Sequence, residues 1–116
     1  MTRVLVVDDE LSFLRTVATA LRASGFETII APDAETALAL LQSLRPDAML
    51  IDVNLPGING VELARRVKED QQHGDVPVIL MSAYGRPREY TYTGFISKPF
   101  DLDHIDELLA PYLKAG

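Results

Sequence analysis

Three short apolar runs, Val4-Leu5-Val6-Val7, Ala48-Met49-Leu50-Ile51 and Val76 to Met81, lead straight into Asp8-Asp9, Asp52 and Ser82. A strand with one face in water alternates apolar and polar side chains, whereas an unbroken apolar run fits a strand covered on both faces. Glu27 to Ala31 reads as a further strand, and Phe95-Ile96-Ser97 as a short fifth one leading into Lys98-Pro99. Between them the apolar residues recur at helical spacing. Leu14, Val17, Ala18 and Leu21 lead to a stop at Ser24-Gly25; Asp33 can cap a helix carrying Ala37, Leu38, Leu41 and Leu44, closed by Pro46. Pro56-Gly57 makes a turn before a helix opened by Asn59 or Gly60, with Val61, Leu63, Ala64 and Val67 inward. Asp101 starts a last helix with Leu102, Ile105, Leu108, Leu109 and Tyr112 inward. Strands alternating with helices predict a doubly wound α/β fold around a parallel sheet. In such sheets ligands bind beyond the carboxyl ends of the strands.

The bulk numbers narrow the function. A chain of 116 residues with 47% hydrophobic and 24% charged residues suits one compact domain, spanning 1–116. Its formal net charge of −6 disfavours direct binding to nucleic acid or to an anionic membrane. Cysteine is absent, which removes disulfides, thiolate nucleophiles and cysteine metal ligands. The N-terminus is too short and too acidic for a signal peptide, and no stretch approaches the ~20 apolar residues of a membrane span. A cytoplasmic protein is the expectation.

The strand ends would bring Asp8, Asp9, Asp52, Ser82, Ala83 and Lys98 to one crevice. Three crowded carboxylates repel unless protons or a cation intervene, and a hard oxygen-ligated ion such as Mg²⁺ is the natural partner. One carboxylate could then act as a nucleophile and form an aspartyl-phosphate. Lys98, Ser82 and backbone N–H groups after Asp52 would offer positive charge and donors to the phosphoryl oxygens. Each element alone has a plainer reading. Asp8 and Asp9 could cap a helix, Asp52 could end a strand in a turn, Ser82 could satisfy a nearby backbone group, and Lys98 could be a solvated surface charge. Their joint placement at four strand ends favours a site.

The motifs Val7-Asp8-Asp9-Glu10, Pro46-Asp47 leading to Ile51-Asp52, Asn54-Leu55-Pro56-Gly57 with Asn59-Gly60, Pro77-Val78-Ile79, Ser82-Ala83 and Lys98-Pro99-Phe100 occur in that order. In these residues the chain resembles the receiver domain of two-component response regulators, over nearly its whole length. The resemblance implies a flavodoxin-like five-stranded sheet of order 2-1-3-4-5. It implies that Asp52 accepts a phosphoryl group from a phosphohistidine on a sensor histidine kinase or phosphotransfer protein. Asp8 and Asp9 would hold Mg²⁺ with Asp52 and the backbone carbonyl of Asn54. Lys98 would pair with the phosphoryl oxygens, Ser82 and Ala83 would close on them, and Phe95 would turn inward in response. Lys98-Pro99 would be cis. Asn54 and Tyr84 would tune dephosphorylation, with Tyr84 crowding the attacking water and slowing hydrolysis.

The chain departs from that pattern between Ser82 and Lys98. Only 15 residues intervene (83–97), fewer than in most receivers. Eight of them, Arg86 to Thr93, remain once the strand flanks are subtracted, and they include Pro87, Thr91 and Thr93. Short helices are marginal, and proline and threonine weaken them further. Helix four, between strands four and five, is therefore predicted to be absent or cut to one turn. Tyr90 and Tyr92 would either form a partner patch or, for one of the two, pack back over the sheet; Arg86 and Arg88 read as solvated.

The leading expectation is a phosphorylation-controlled signalling switch that catalyses only its own phosphorylation and dephosphorylation. The end at Gly116, just after the last helix, suggests a stand-alone receiver or the receiver part of a longer regulator, with the effector unnamed and room for a homodimer. Two alternatives remain open. A Mg²⁺-dependent phosphohydrolase of the haloacid-dehalogenase kind would need an acid two residues beyond the nucleophile, where this chain has Asn54. A receiver-like binding module that is never phosphorylated would not need the full set of acids, hydroxyl and lysine.

Overall fold

The computed structural model describes residues 1–88 and 91–113. Its strands are β1 (Arg3–Val7), β2 (Glu27–Ala31), β3 (Ala48–Asp52), β4 (Val78–Ser82) and β5 (Gly94–Ser97). They form one parallel sheet in the order β2-β1-β3-β4-β5, as expected. The helices are α1 (Leu11–Ala23), α2 (Ala34–Leu41), α3 (Gly60–Glu69) and a short α4 (Ile105–Leu109).

Alternate strand residues serve two separate cores, which is why the runs are apolar at every position. Leu5, Val7, Met49, Ile51, Val78 and Leu80 pack with Ala37 and Leu41 of α2 and with Leu63 and Val67 of α3. Val4, Val6, Leu50, Ile79 and Met81 face the other way, onto Leu14, Val17 and Leu21 of α1 and Ile105 and Leu109 of α4. The period of two along a strand thus feeds both layers of the doubly wound fold.

Local chemistry sets the helix ends. Asp33 Oδ1 accepts from Thr36 N at 2.7 Å, and Asn59 Oδ1 accepts from Glu62 N at 2.9 Å. Gly25, at φ 93°, takes the chain out of α1 in a conformation open to glycine. Several boundaries differ from the sequence reading: β1 begins at Arg3, β3 runs through Asp52 and β5 begins at Gly94. Helix α2 stops at Leu41, although Leu44 N still donates to Leu40 O at 3.1 Å. Strand β4 begins at Val78, beyond the Val76-Pro77 pair, because Pro77 has no N–H for the ladder. The last helix is split: 3-10 turns at Leu102–His104 and Ala110–Tyr112 flank α4. Pro111 falls where continuing the α-helical pattern would require its missing N–H. Leu102, Leu108 and Tyr112 are accordingly only half-buried.

Among the described residues no helix lies between β4 and β5. Thr93 instead lengthens the strand pairing: its N–H donates to Val78 O at 2.7 Å, and its Oγ1 accepts from Val78 N at 3.0 Å. Tyr92 packs against the core on the α2–α3 face, and its hydroxyl donates to Pro87 O at 2.7 Å. Phe95 packs on the same core, with the guanidinium carbon of Arg86 5.7 Å from its ring centroid. Aromatic rings and a braced loop cover what a helix would otherwise cover. Arg86 and Arg88 are exposed, and Tyr90 lies outside the described residues.

Candidate functional site

The parallel register brings one end of every strand to one edge. Asp52 lies opposite Met81, Ser82 opposite Ser97, and Asp8 directly follows the Val7–Ile51 pair. Asp8 is almost fully buried at 1% exposure, Asp52 is 7% exposed, and Asp9 is open to solvent. Carboxylate oxygens of Asp8, Asp9 and Asp52 all lie within 4.8 Å of one another. Lys98 Nζ donates to Asp8 Oδ2 at 2.6 Å and sits 3.6 Å from Asp52 Oδ1. The Lys98–Pro99 peptide bond is cis.

Asp8 does not cap α1. Glu10 occupies that position without a side-chain cap bond. The Asp8 carboxylate instead accepts from Glu10 N at 2.9 Å through Oδ1 and from Lys98 through Oδ2. A buried carboxylate is tolerated when charged and hydrogen-bonded partners satisfy it. The carboxyl group of Asp52 is pushed above its ordinary range by burial; Lys98 opposes this, Asp8 adds to it, the Asn54 N–H opposes it, and Asp9 adds a smaller repulsion. Three carboxylates face one lysine here. The donor set, three carboxylates and no nitrogen or sulfur, suits a hard divalent cation.

The turn after Asp52 is held by close packing. Gly60 N donates to Val53 O at 2.9 Å, and a Cβ at position 60 would stand 2.1 Å from the backbone oxygen of Asp52. Only glycine lets the start of α3 come so near the end of β3. Asn54 is exposed within that turn.

Ser82, 2% exposed, accepts from Tyr84 N at 2.9 Å through its Oγ, so the plainer reading of this hydroxyl describes it as it stands. A hydroxyl that accepts still has its own proton to donate. Ala83 is exposed beside it, and Tyr84 projects outward at 87% exposure. Phe95 is half-buried on the α2–α3 core. Phe13, which sequence reading passes over as one more apolar helix residue, lies at the site. Lys98 Nζ is 4.1 Å from its ring centroid, and Phe100 meets the same ring edge-on at 5.9 Å and 87°. Its one sequence signal is an aromatic on α1 five residues beyond Asp8.

Comparison with known proteins follows the same geometry. The family described as "Response regulator receiver domain" matches residues 4–110. The phosphate regulon transcriptional regulatory protein PhoB of Pseudomonas aeruginosa is 37% identical over 103 residues, covering 84% of this chain and 45% of PhoB. The regulatory protein AtoC of Escherichia coli is 35% identical over 112 residues, covering 91% of this chain and 24% of AtoC. The chain thus spans less than half the length of these relatives. Among solved structures, the Vibrio cholerae chemotaxis protein CheY4 superposes with a TM-score of 0.90 at 30% identity, covering 97% of this chain and 99% of that one. The Thermotoga maritima response regulator TrrA, solved in complex with Mg²⁺-BeF, gives a TM-score of 0.87 at 30% identity, over 97% and 100% of the two chains.

Proposed function

From the premise that this chain belongs to the response regulator receiver domain family, we propose that Asp52 is its phosphoacceptor and that phosphorylation switches a partner-binding surface. The observation that carries this reading is the cluster itself: Asp8, Asp9 and Asp52 within 4.8 Å, with Lys98 reaching two of them. In the transfer, an Asp52 carboxylate oxygen attacks the phosphorus of a phosphohistidine. The P–O bond forms as the P–N bond breaks, and the bonding pair returns to the imidazole nitrogen. Lys98 moves its hydrogen bond from Asp8 toward the phosphoryl oxygens, and Ser82 turns its hydroxyl proton to another, with the Ala83 backbone beside it. Charge-assisted donors of this kind act where negative charge gathers. Asp8, Asp9, Asp52 and the backbone carbonyl of Asn54 would hold Mg²⁺, which supplies charge neutralisation between acceptor and incoming phosphoryl group. Phe95 responds as the mobile aromatic of the switch.

The donor would be a sensor histidine kinase or phosphotransfer protein, and the chain would work as a single cytoplasmic receiver domain over 1–116, catalysing only its own phosphorylation and dephosphorylation. Among the described residues no helix is long and apolar enough to cross a membrane. A beryllofluoride titration with Mg²⁺, followed by backbone NMR, tests the reading. Shifts in residues around Asp52, Ser82 and Lys98 that vanish in Asp52→Asn support it. A titration that leaves the wild-type spectrum unchanged would favour an unphosphorylated binding module.

A further inference from the structure

We propose that Phe13 is a positioning residue for phosphoryl transfer to Asp52, its ring face holding the Lys98 ammonium in place through a cation–π contact. The inference rests on the phosphoacceptor reading above and adds a residue to that site. Among the described residues, Lys98 Nζ meets Asp8 Oδ2 at 2.6 Å, Asp52 Oδ1 at 3.6 Å, and the Phe13 ring with its centroid at 4.1 Å. Transfer disturbs the first two, because both carboxylates change partners when a phosphoryl group arrives. The ring does not change.

Lysine carries a point charge on a flexible stem, so an ammonium whose partners are exchanged is free to wander. A third carboxylate in place of the ring would hold it but would compete with the phosphoryl group for the same charge. An aromatic face attracts the cation without a directional hydrogen bond, and more strongly where water is partly excluded. The Lys98 side chain is 17% exposed, so the contact lies in such a place. The ring is itself braced: it belongs to α1, and Phe100, two residues beyond Lys98, packs edge-on against it. One aromatic pair therefore ties the helix after Asp8 to the loop that carries the lysine. Mere filling of space would need bulk but no π face, and this distinction can be measured.

Phe13→Leu keeps an apolar side chain and removes the ring, whereas Phe13→Tyr keeps the ring. Wild type and both variants are incubated with Mg²⁺ and acetyl phosphate, and the gain of about 80 Da for one phosphoryl group is followed by intact mass. At saturating donor, Phe13→Leu is expected to label about tenfold more slowly, equivalent to ~1.4 kcal/mol. The half-saturating donor concentration and the Mg²⁺ affinity should stay within about twofold, and Phe13→Tyr within about twofold of wild-type rate. Proton NMR reports the contact itself: ring current shifts the Lys98 ε-methylene upfield in wild type and Phe13→Tyr, but not in Phe13→Leu. Thermal unfolding verifies that the variants fold, and Phe13→Met replaces Phe13→Leu if the latter does not. Labelling of Phe13→Leu at the wild-type rate overturns the proposal, as does equal slowing in the leucine and tyrosine variants. A wild type that takes no label fails the phosphoacceptor reading instead, while the Lys98 shifts still report separately on the contact.

Discussion

At the scale of single residues, the chemistry concentrates in a few charged groups whose surroundings oppose them. Burial raises the Asp52 carboxyl above its ordinary value of 3.8. Folding therefore favours the protonated acid, so the share of stability that Asp52 contributes in the metal-free protein is present below 3.8 and is lost as pH rises through the raised value. Asp52→Asn should accordingly raise the melting temperature of the metal-free protein at neutral pH by a few degrees, while abolishing any further rise on adding Mg²⁺. Thermal unfolding with and without Mg²⁺ checks both halves. At the surface, His104 lies 2.8 Å from Asp101; this partner holds its imidazole above the ordinary 6.5, and Asp101 is held below 3.8. The raised histidine contributes fully below 6.5 and its share is lost as pH rises through the folded value. The lowered aspartate contributes above 3.8 and its share is lost as pH falls through its own folded value. The pair is thus at full strength between these limits, and an NMR titration should find His104 above 6.5, returning toward it in Asp101→Asn. The family resemblance implies that Tyr84 crowds the attacking water, so Tyr84→Gly should shorten the lifetime of the phosphorylated form several-fold, read as faster loss of the mass adduct. The acids, Ser82 and Lys98 were legible in sequence because each ends a strand. Phe13 was not, since its role depends on a ring meeting a lysine 85 positions further along the chain.

At the scale of elements, two local fits decide whether the site is held together. A Cβ on Gly60 would collide with the backbone oxygen of Asp52 rather than with a yielding side chain. Gly60→Ala should therefore cost about 3 kcal/mol, the upper end of an overpacking penalty, and disturb Asp52 with it. Denaturant unfolding reads the first effect and Mg²⁺ binding the second. Between β4 and β5, Val78 N has the Thr93 hydroxyl as acceptor. Thr93→Val should leave that N–H unpaired and cost about 1–3 kcal/mol in the same measurement. The shortage of residues here was visible in the sequence, and among the described residues no helix fills the gap. How the gap is closed was not visible: Thr93 pairs with Val78 at the start of β4, and Tyr92 lies on the core that includes Leu80. The broken last helix shows a similar limit, because apolar spacing marks Leu102 to Tyr112 as one stripe while the missing N–H of Pro111 interrupts it.

At the scale of the whole molecule, the fold is a device for bringing five strand ends to one edge, and nearly all of it could be read from apolar runs and their order. Two cores clamp the sheet from both sides, so Asp52 sits at the end of a rigid strand, with Asp8 and Asp9 in the short turn directly after β1. The chain spans 45% of PhoB and 24% of AtoC. Among the described residues, the β4–β5 side is covered by Tyr92 and Phe95, with Arg86 over the Phe95 ring, and carries no helix. The central claim remains that Asp52 carries the phosphoryl group. Intact mass after incubation with Mg²⁺ and acetyl phosphate tests it most directly. The account predicts one adduct of about 80 Da, stable to acid and lost in alkali, formed by the wild type and absent in Asp52→Asn. An adduct that persists in Asp52→Asn, or none in the wild type, would contradict it.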